Sequence, residues 1–129
     1  MNQKSILAIF LAFIWISISE FFRNSFLVHS EWINHFQNLG LIFPEKPVNG
    51  AIWGIWSFVF SIFLYIIYKR FNFFETISLG WVAGFLMMWL VLGNLNVLPF
   101  NILIYAVPLS IIEVIIAVYI ISYFSKIKK

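Results

Sequence analysis

The chain has 129 residues, of which 63% are hydrophobic and 10% are charged, and its formal net charge is +3. A water-soluble domain of this size must cover a large surface with polar side chains, and an average soluble domain has about 25% charged residues. Eight basic and five acidic residues are too few for that, and such high hydrophobicity also excludes a disordered chain. The sequence therefore predicts an all-α integral membrane protein, a single membrane domain over residues 1–129.

Four transmembrane helices are predicted from long uncharged runs, because about 20 helical residues span a bilayer core. These runs are apolar on every face and do not alternate at period 2, which excludes the strands of a β-barrel. The third run is long enough for two helices, and it is split by residues 93–101, which are rich in Gly, Asn and Pro. The predicted helices cover residues 5–23, 50–68, 76–93 and 100–124, and the short connections favour an up-and-down bundle.

Lysine and arginine are distributed unequally between the two ends of these helices. The side with both termini has six, Lys4, Lys69, Arg70, Lys126, Lys128 and Lys129, and the other side has two, Arg23 and Lys46. Because cytoplasmic flanks carry the excess of basic residues, we expect a multi-pass inner-membrane protein with both termini in the cytoplasm. The richness in Ile, Phe, Asn and Lys favours a bacterial source. A cleaved signal peptide is the alternative for the first helix, since residues 17–19 resemble a cleavage site.

The first loop, residues 24–49, faces outward in this orientation and is long enough to have structure of its own. Four apolar residues recur in it at helical spacing, Val28, Trp32, Phe36 and Leu39. With polar residues opposite and Gly40 following, this pattern predicts a short interfacial helix at residues 31–39. Glu31 and His35 lie one turn apart, but two ligands do not make a metal site, so we expect neither a metal nor a cofactor.

Small residues at helical spacing indicate where helices approach closely in lipid. They form one stripe on the second helix, Gly50, Gly54 and Ser57, and another on the third, Gly80 and Gly84. We expect both stripes to pack within the chain, with a homodimer interface as the alternative.

Ionisable residues inside the predicted helices are the candidates for function, because such residues are costly in a bilayer. Glu113 lies near the bilayer midplane on a helix that contains Pro108, and with Ser110 it forms the predicted intramembrane proton or cation site. Glu20 and Arg23 lie one turn apart near the outer end of the first helix, where mutual pairing and membership in a site fit equally well. They belong to a predicted polar cluster at the outer mouth, which consists of Glu20, Arg23, Asn24, His29, His35, Asn94, Asn96 and Asn101.

No known enzyme motif is present in the sequence, and the chain has no aspartate. Because intramembrane carboxyl groups mark ion and proton pathways, the leading interpretation is a transporter or channel-like protein that uses Glu113. A membrane-embedded enzyme acting on a lipid or isoprenoid, with outer-mouth residues as acid–base groups, is one alternative, and a non-catalytic assembly subunit of a membrane complex is another. The sequence does not decide whether the protein is an enzyme, and it favours a protein that is not.

The expected partners follow from the same composition. The lipid bilayer covers the apolar helices, and a second copy of the chain or another membrane subunit would complete a bundle this small. Nucleic acid is not expected, since the basic residues lie at the ends of apolar runs and do not form a continuous basic surface.

Overall fold

A computed structural model describes residues 1–128 of the protein. These residues form five α-helices and no strand: α1 Gln3–Leu27, α2 His29–Asn38, α3 Pro47–Tyr68, α4 Phe73–Asn94 and α5 Phe100–Ser125. Helices α1, α3, α4 and α5 are long and apolar enough to cross a membrane. The prediction of an all-helical chain with four such helices is confirmed, and the helix in the first loop begins two residues earlier than predicted.

Short polar side chains set the ends of several helices. At the start of α1, the Asn2 side chain accepts a hydrogen bond from the Ser5 amide at 2.9 Å. Asn72 and Glu75 bond to each other's backbone amides in a capping box at the start of α4. Gly40 follows α2 with a φ of +71°, a left-handed conformation that ends a helix at low cost for glycine.

The four long helices pack so that neighbours in the chain are neighbours in space. Helix α1 packs against α3 and α5, α4 packs against the same two helices, and α3 also touches α5. Tyr65 donates a hydrogen bond to Ser5 at 2.7 Å, and Tyr68 donates one to Ser122 at 2.9 Å. These bonds join the start of α1 to the ends of α3 and α5. We call this the termini end of the bundle, and we call the opposite end, which carries α2, the loop end.

The predicted glycine stripes on α3 and α4 differ in how closely they approach a neighbouring helix. A Cβ atom added at Gly80 or Gly84 of α4 would collide with side chains of α3, so the two helices approach closely there. At Gly50 and Gly54 of α3 an added Cβ would meet nothing within 4 Å, so the prediction that these two glycines pack closely within the chain is wrong. The alternative, a homodimer interface at these glycines, stays a prediction. Both glycines lie toward the loop end, beside a cavity, and Ser57 one turn further on is buried.

Two of the long helices contain a widened turn, which is the last turn of α1 and a middle turn of α4. The Val28 amide donates to the Arg23 carbonyl at 3.0 Å, and the Met87 amide donates to the Val82 carbonyl. These are the i→i+5 bonds of π-helical turns, which are rare and occur frequently at functional sites. Arg23 begins the first turn and Phe85 lies within the second, and their side chains meet in the core.

Candidate functional site: a buried carboxyl pair beside an open cavity

Three ionisable side chains from two helices meet inside the bundle. Glu20 and Arg23 lie one turn apart on α1, and Glu113 lies on α5. Arg23 Nη2 is 2.5 Å from Glu20 Oε1, and Arg23 Nη1 is 3.6 Å from Glu113 Oε1. The exposed fraction of the residue is 5% for Glu20, 4% for Arg23 and 0% for Glu113. One guanidinium therefore faces two buried carboxyl groups, and we call these three residues the triad.

The sequence predicts these residues in two separate places, Glu113 in an intramembrane site and Glu20 and Arg23 at the outer mouth. Ser110 was the predicted companion of Glu113, and it is buried one turn away on α5. Its hydroxyl accepts a hydrogen bond from Trp81 Nε1 at 2.9 Å and donates one to the Val107 carbonyl at 2.9 Å. Ser110 thus joins α4 to α5, and the residues that contact the Glu113 carboxyl group come from α1 instead.

Small side chains bring α1 and α5 close enough for the triad to form. The buried residues of α1 include Ala8, Ala12, Ile16 and Glu20, and those of α5 include Ala106, Ser110, Glu113 and Ala117. Alanine at a helix contact allows close approach of the two backbones. Trp15 Nε1 donates a hydrogen bond to the Glu113 carbonyl at 2.9 Å, which fixes the relative position of the helices at this level. The sequence pattern missed this bond because its acceptor is a backbone atom of another helix.

Neighbouring side chains hold the α1 half of the triad in place. Asn24 Nδ2 donates to Glu20 Oε2 at 3.1 Å, and Trp32 Nε1 of α2 donates to Asn24 Oδ1 at 3.2 Å. The Arg23 guanidinium carbon lies 5.4 Å from the centroid of the Phe85 ring, within the range of a cation–π interaction. Phe85 is a neighbour of the triad that no sequence pattern indicates, since a phenylalanine in an apolar run carries no special signal.

The triad contains more acidic than basic groups. With all three groups ionised, two carboxylates and one guanidinium carry a net charge of −1. Within residues 1–128, neither oxygen of Glu113 nor Nη1 of Arg23 has a hydrogen-bond partner. An unbalanced charge in a low-dielectric interior costs several kcal/mol. One proton or one further cation at the triad would therefore balance its charge.

A cavity of about 960 Å³ extends from the triad to the loop end. Glu20 and Arg23 line its inner part, and Gly50 and Gly54 form part of its α3 wall. Other lining residues, such as Ile52, are more than half exposed on the outside of the bundle. Phe21 of α1 also lines the cavity and is more than half exposed, so the cavity reaches the outer surface of the bundle on the side of α1 and α3, and α2 covers its loop end.

Aromatic side chains form much of the cavity wall, and they are Phe21, Trp32, Phe36, Phe43, Trp53 and Trp89. The rings of Trp32 and Phe43 are stacked with centroids 5.7 Å apart, and Phe36 meets Phe43 edge-on at 5.2 Å. Such aromatic pairs stabilise an arrangement beyond the area that they bury. Helix α2 and the extended segment after it thus cover the cavity with a packed aromatic layer.

Other members of the predicted outer-mouth cluster connect α2 to the start of α5 and to the connection before it. Asn101, at the start of α5, donates a hydrogen bond to the Glu31 side chain of α2. His35 Nε2 lies 2.7 Å from the carbonyl oxygen of Asn96, in the connection between α4 and α5. Helix α2, which covers the cavity, is therefore held in place by two contacts, Glu31 with Asn101 and His35 with Asn96.

The last two members of the cluster lie at its edge. His29 Nε2 is 2.8 Å from Glu45 Oε2, and both residues line the rim of the cavity. Asn94 is exposed at the end of α4. Among residues 1–128 no three His, Cys, Asp or Glu side chains are grouped to bind a metal ion. The structure thus divides the predicted cluster, with Glu20, Arg23 and Asn24 at the triad and the rest at the loop end.

Comparison with protein-family models, with curated proteins and with solved structures finds no match to this chain. The triad and the cavity are therefore the features of the chain that indicate a function. Both are assembled from several helices, so neither a short motif nor a single helix contains the site.

Proposed function

We propose that the chain is an inner-membrane transporter or channel-like protein and that the triad is its proton or cation site. The observation that carries the proposal is the second buried carboxyl group. Arg23 balances either Glu20 or Glu113, and the remaining carboxylate needs a proton or a cation. Carboxyl groups at such positions in membrane proteins mark ion and proton pathways.

The outer surface of the bundle supports placement in a bilayer. The four long helices have 22 to 26 residues, which matches a bilayer core. Large apolar side chains are exposed around them, for example Phe10, Ile55, Leu90 and Ile104. A soluble monomer rarely exposes apolar patches of this extent, so lipid is the proposed partner of this surface.

The proposed orientation places the cavity on the outer side. The excess of lysine and arginine lies at the termini end, so this end is cytoplasmic by the positive-inside rule. Below the triad, Leu64, Val118 and Ile121 are fully buried in the core. A continuous path therefore requires a conformational change or a second protein, and we propose a homodimer or a partner membrane subunit.

A membrane-embedded enzyme acting on a lipid or isoprenoid is the second candidate. The observation in its favour is the opening on the side of α1 and α3, through which a lipid chain would enter. Its acid–base groups would be Glu20 and His29, which both line the cavity. However, His29 lies at the rim and is paired with Glu45, which leaves one carboxyl group and one guanidinium near a substrate. An assembly subunit has less support, because a packed partner-binding bundle needs no cavity beside the triad.

Flux measurements in liposomes test the transport proposal. We expect the purified, reconstituted protein to move protons or alkali cations down an imposed gradient, and we expect Glu113→Gln to abolish this flux because glutamine cannot ionise. Glu75→Gln is the matched control, since Glu75 is exposed at the termini end and glutamine preserves its capping bond. The proposal is wrong if the wild-type protein moves neither protons nor alkali cations, or if Glu113→Gln retains full flux.

A further inference from the structure

We infer that the cavity binds a lipophilic organic cation, a molecule with an apolar body and a quaternary or delocalised positive charge. The inference rests on the proposed function, because it names the ligand whose charge would balance the triad. Three features of the cavity meet in one place: an opening toward lipid, aromatic walls and an inner end with excess negative charge.

The size and the opening of the cavity suit an apolar molecule that arrives from the bilayer. A volume of about 960 Å³ lies at the upper end of the roughly 300–1,000 Å³ typical of small-molecule sites. Gly50 and Gly54 have no side chains to fill the α3 wall, and nothing lies within 4 Å of where their Cβ atoms would be. The exposed side chain of Ile52 and the partly exposed Trp53 mark the side opening. An amphipathic ligand would thus enter without crossing the water phase.

Aromatic walls favour a cation over a neutral molecule of the same shape. The face of an indole or phenyl ring attracts a cation within about 6 Å of its centre, and Trp is the strongest of these groups. Trp32, Trp53 and Trp89 line the cavity from three different helices. Their positions surround a ligand on several sides.

The charge at the inner end selects for a positive ligand. Arg23 is held between Glu20 and Glu113, and its face is covered by Phe85. Glu20 lines the cavity, whereas Glu113 lies behind it. Arg23 lies closer to Glu20, at 2.5 Å, than to Glu113, at 3.6 Å, so Glu113 supplies the negative charge in excess. With all three groups ionised the inner end of the cavity carries a net charge of −1, and an anion in the same place would be repelled. A proton and an organic cation therefore compete for one excess negative charge.

This competition predicts a pH dependence, and the groups able to contribute to it are few. The charged or titratable residues that line the cavity are Glu20, Arg23, His29, Glu45 and Lys46. Glu113 of α5 lies behind this lining and faces Arg23, so it contributes as the third member of the triad. His29 and Glu45 form a pair with each other at the rim, with exposed side chains. Cation binding should strengthen as the pH rises, because protons leave the triad.

A pair of probes with the same shape and opposite charge tests the inference. Tetraphenylphosphonium and tetraphenylborate both carry four phenyl groups around one central charge. We expect saturable binding of the phosphonium to the purified protein in detergent micelles, with protein-free micelles as the blank. Affinity should increase with pH, and binding should release protons. Equal or tighter binding of the borate overturns the inference, and so does the absence of saturable phosphonium binding.

Substitutions then locate the site. Glu20→Gln should weaken phosphonium binding about tenfold or more and remove its pH dependence, because it removes the carboxylate nearest the ligand. His29→Gln should leave the pH dependence in place. Trp53→Leu keeps an apolar side chain without an indole face and should weaken binding about threefold, whereas Trp56→Leu, at a position outside this cavity, should not. A pH dependence that disappears in His29→Gln and persists in Glu20→Gln overturns the inference. If Glu20→Gln fails to fold, the comparison of the two probes and the pH series still test the inference, because both use the wild-type protein.

The binding experiment tests the ligand class and the flux experiment tests the transport proposal, so either proposal can be wrong while the other is supported. Proton-competed phosphonium binding without any flux supports the ligand class and overturns the transport proposal. Proton or alkali-cation flux without phosphonium binding supports the transport proposal and overturns the ligand class.

Discussion

Arg23→Met is the substitution that tests the charge balance of the triad most directly. Methionine keeps an unbranched apolar side chain but removes the guanidinium, which is the one described cation within 4 Å of either triad carboxyl group. Two carboxyl groups with exposed fractions of 5% and 0% then share a site without a counter-charge. Removing one partner of a buried ion pair costs about 3–5 kcal/mol, and we expect a loss of unfolding free energy of that size.

Glu113→Gln is the matched change in the opposite direction. It leaves the 2.5 Å pair of Glu20 and Arg23 intact and removes the acidic group in excess. Because no described group is hydrogen-bonded to the Glu113 carboxyl oxygens, glutamine gives up only the 3.6 Å contact with Arg23. We expect the unfolding free energy to stay within about 1 kcal/mol of the wild-type value, the size of one ordinary hydrogen bond.

The assay is equilibrium unfolding in mixed micelles, with sodium dodecyl sulfate as the denaturant and helical circular dichroism as the signal. The expected order of stability is wild type close to Glu113→Gln, with Arg23→Met far below both. If Glu113→Gln loses as much stability as Arg23→Met, the triad has no excess carboxyl group and the proton or cation argument fails. Wild-type stability in Arg23→Met would refute the view that the guanidinium balances buried charge.

Two further predictions concern packing and topology. Gly84→Ala should lower the melting temperature, because its Cβ would come within 2.7 Å of the Phe60 ring and overpacking costs roughly 1–3 kcal/mol. Gly54→Ala should not lower it, since its Cβ meets open space and alanine favours a helix; equal losses in both variants would contradict the packing described for α3 and α4. In this cysteine-free chain, Asn38→Cys should react with an impermeant thiol reagent from outside intact cells and Lys128→Cys only after permeabilisation, both positions being exposed. The reverse labelling pattern would place the cavity on the cytoplasmic side.

Local patterns in the sequence predict the helices and much of their local chemistry. Uncharged runs of bilayer length predict α1, α3, α4 and α5 with ends within four residues of those observed, because run length reports directly on helix span. The spacing of apolar residues predicts α2, and Gly40 ends it, since both features depend only on neighbours in the chain.

Which helix faces meet is seen only in the packed bundle. Periodicity fixes the side of a helix that is buried but not its rotation or depth relative to another helix, so the contact of Glu113 with Arg23 was not predictable from spacing. The same limit applies to Gly54, where a small-residue stripe borders a cavity, and to Gly80, where an equal stripe packs tightly. A small side chain permits close approach, but only the position of the facing helix determines whether close approach occurs.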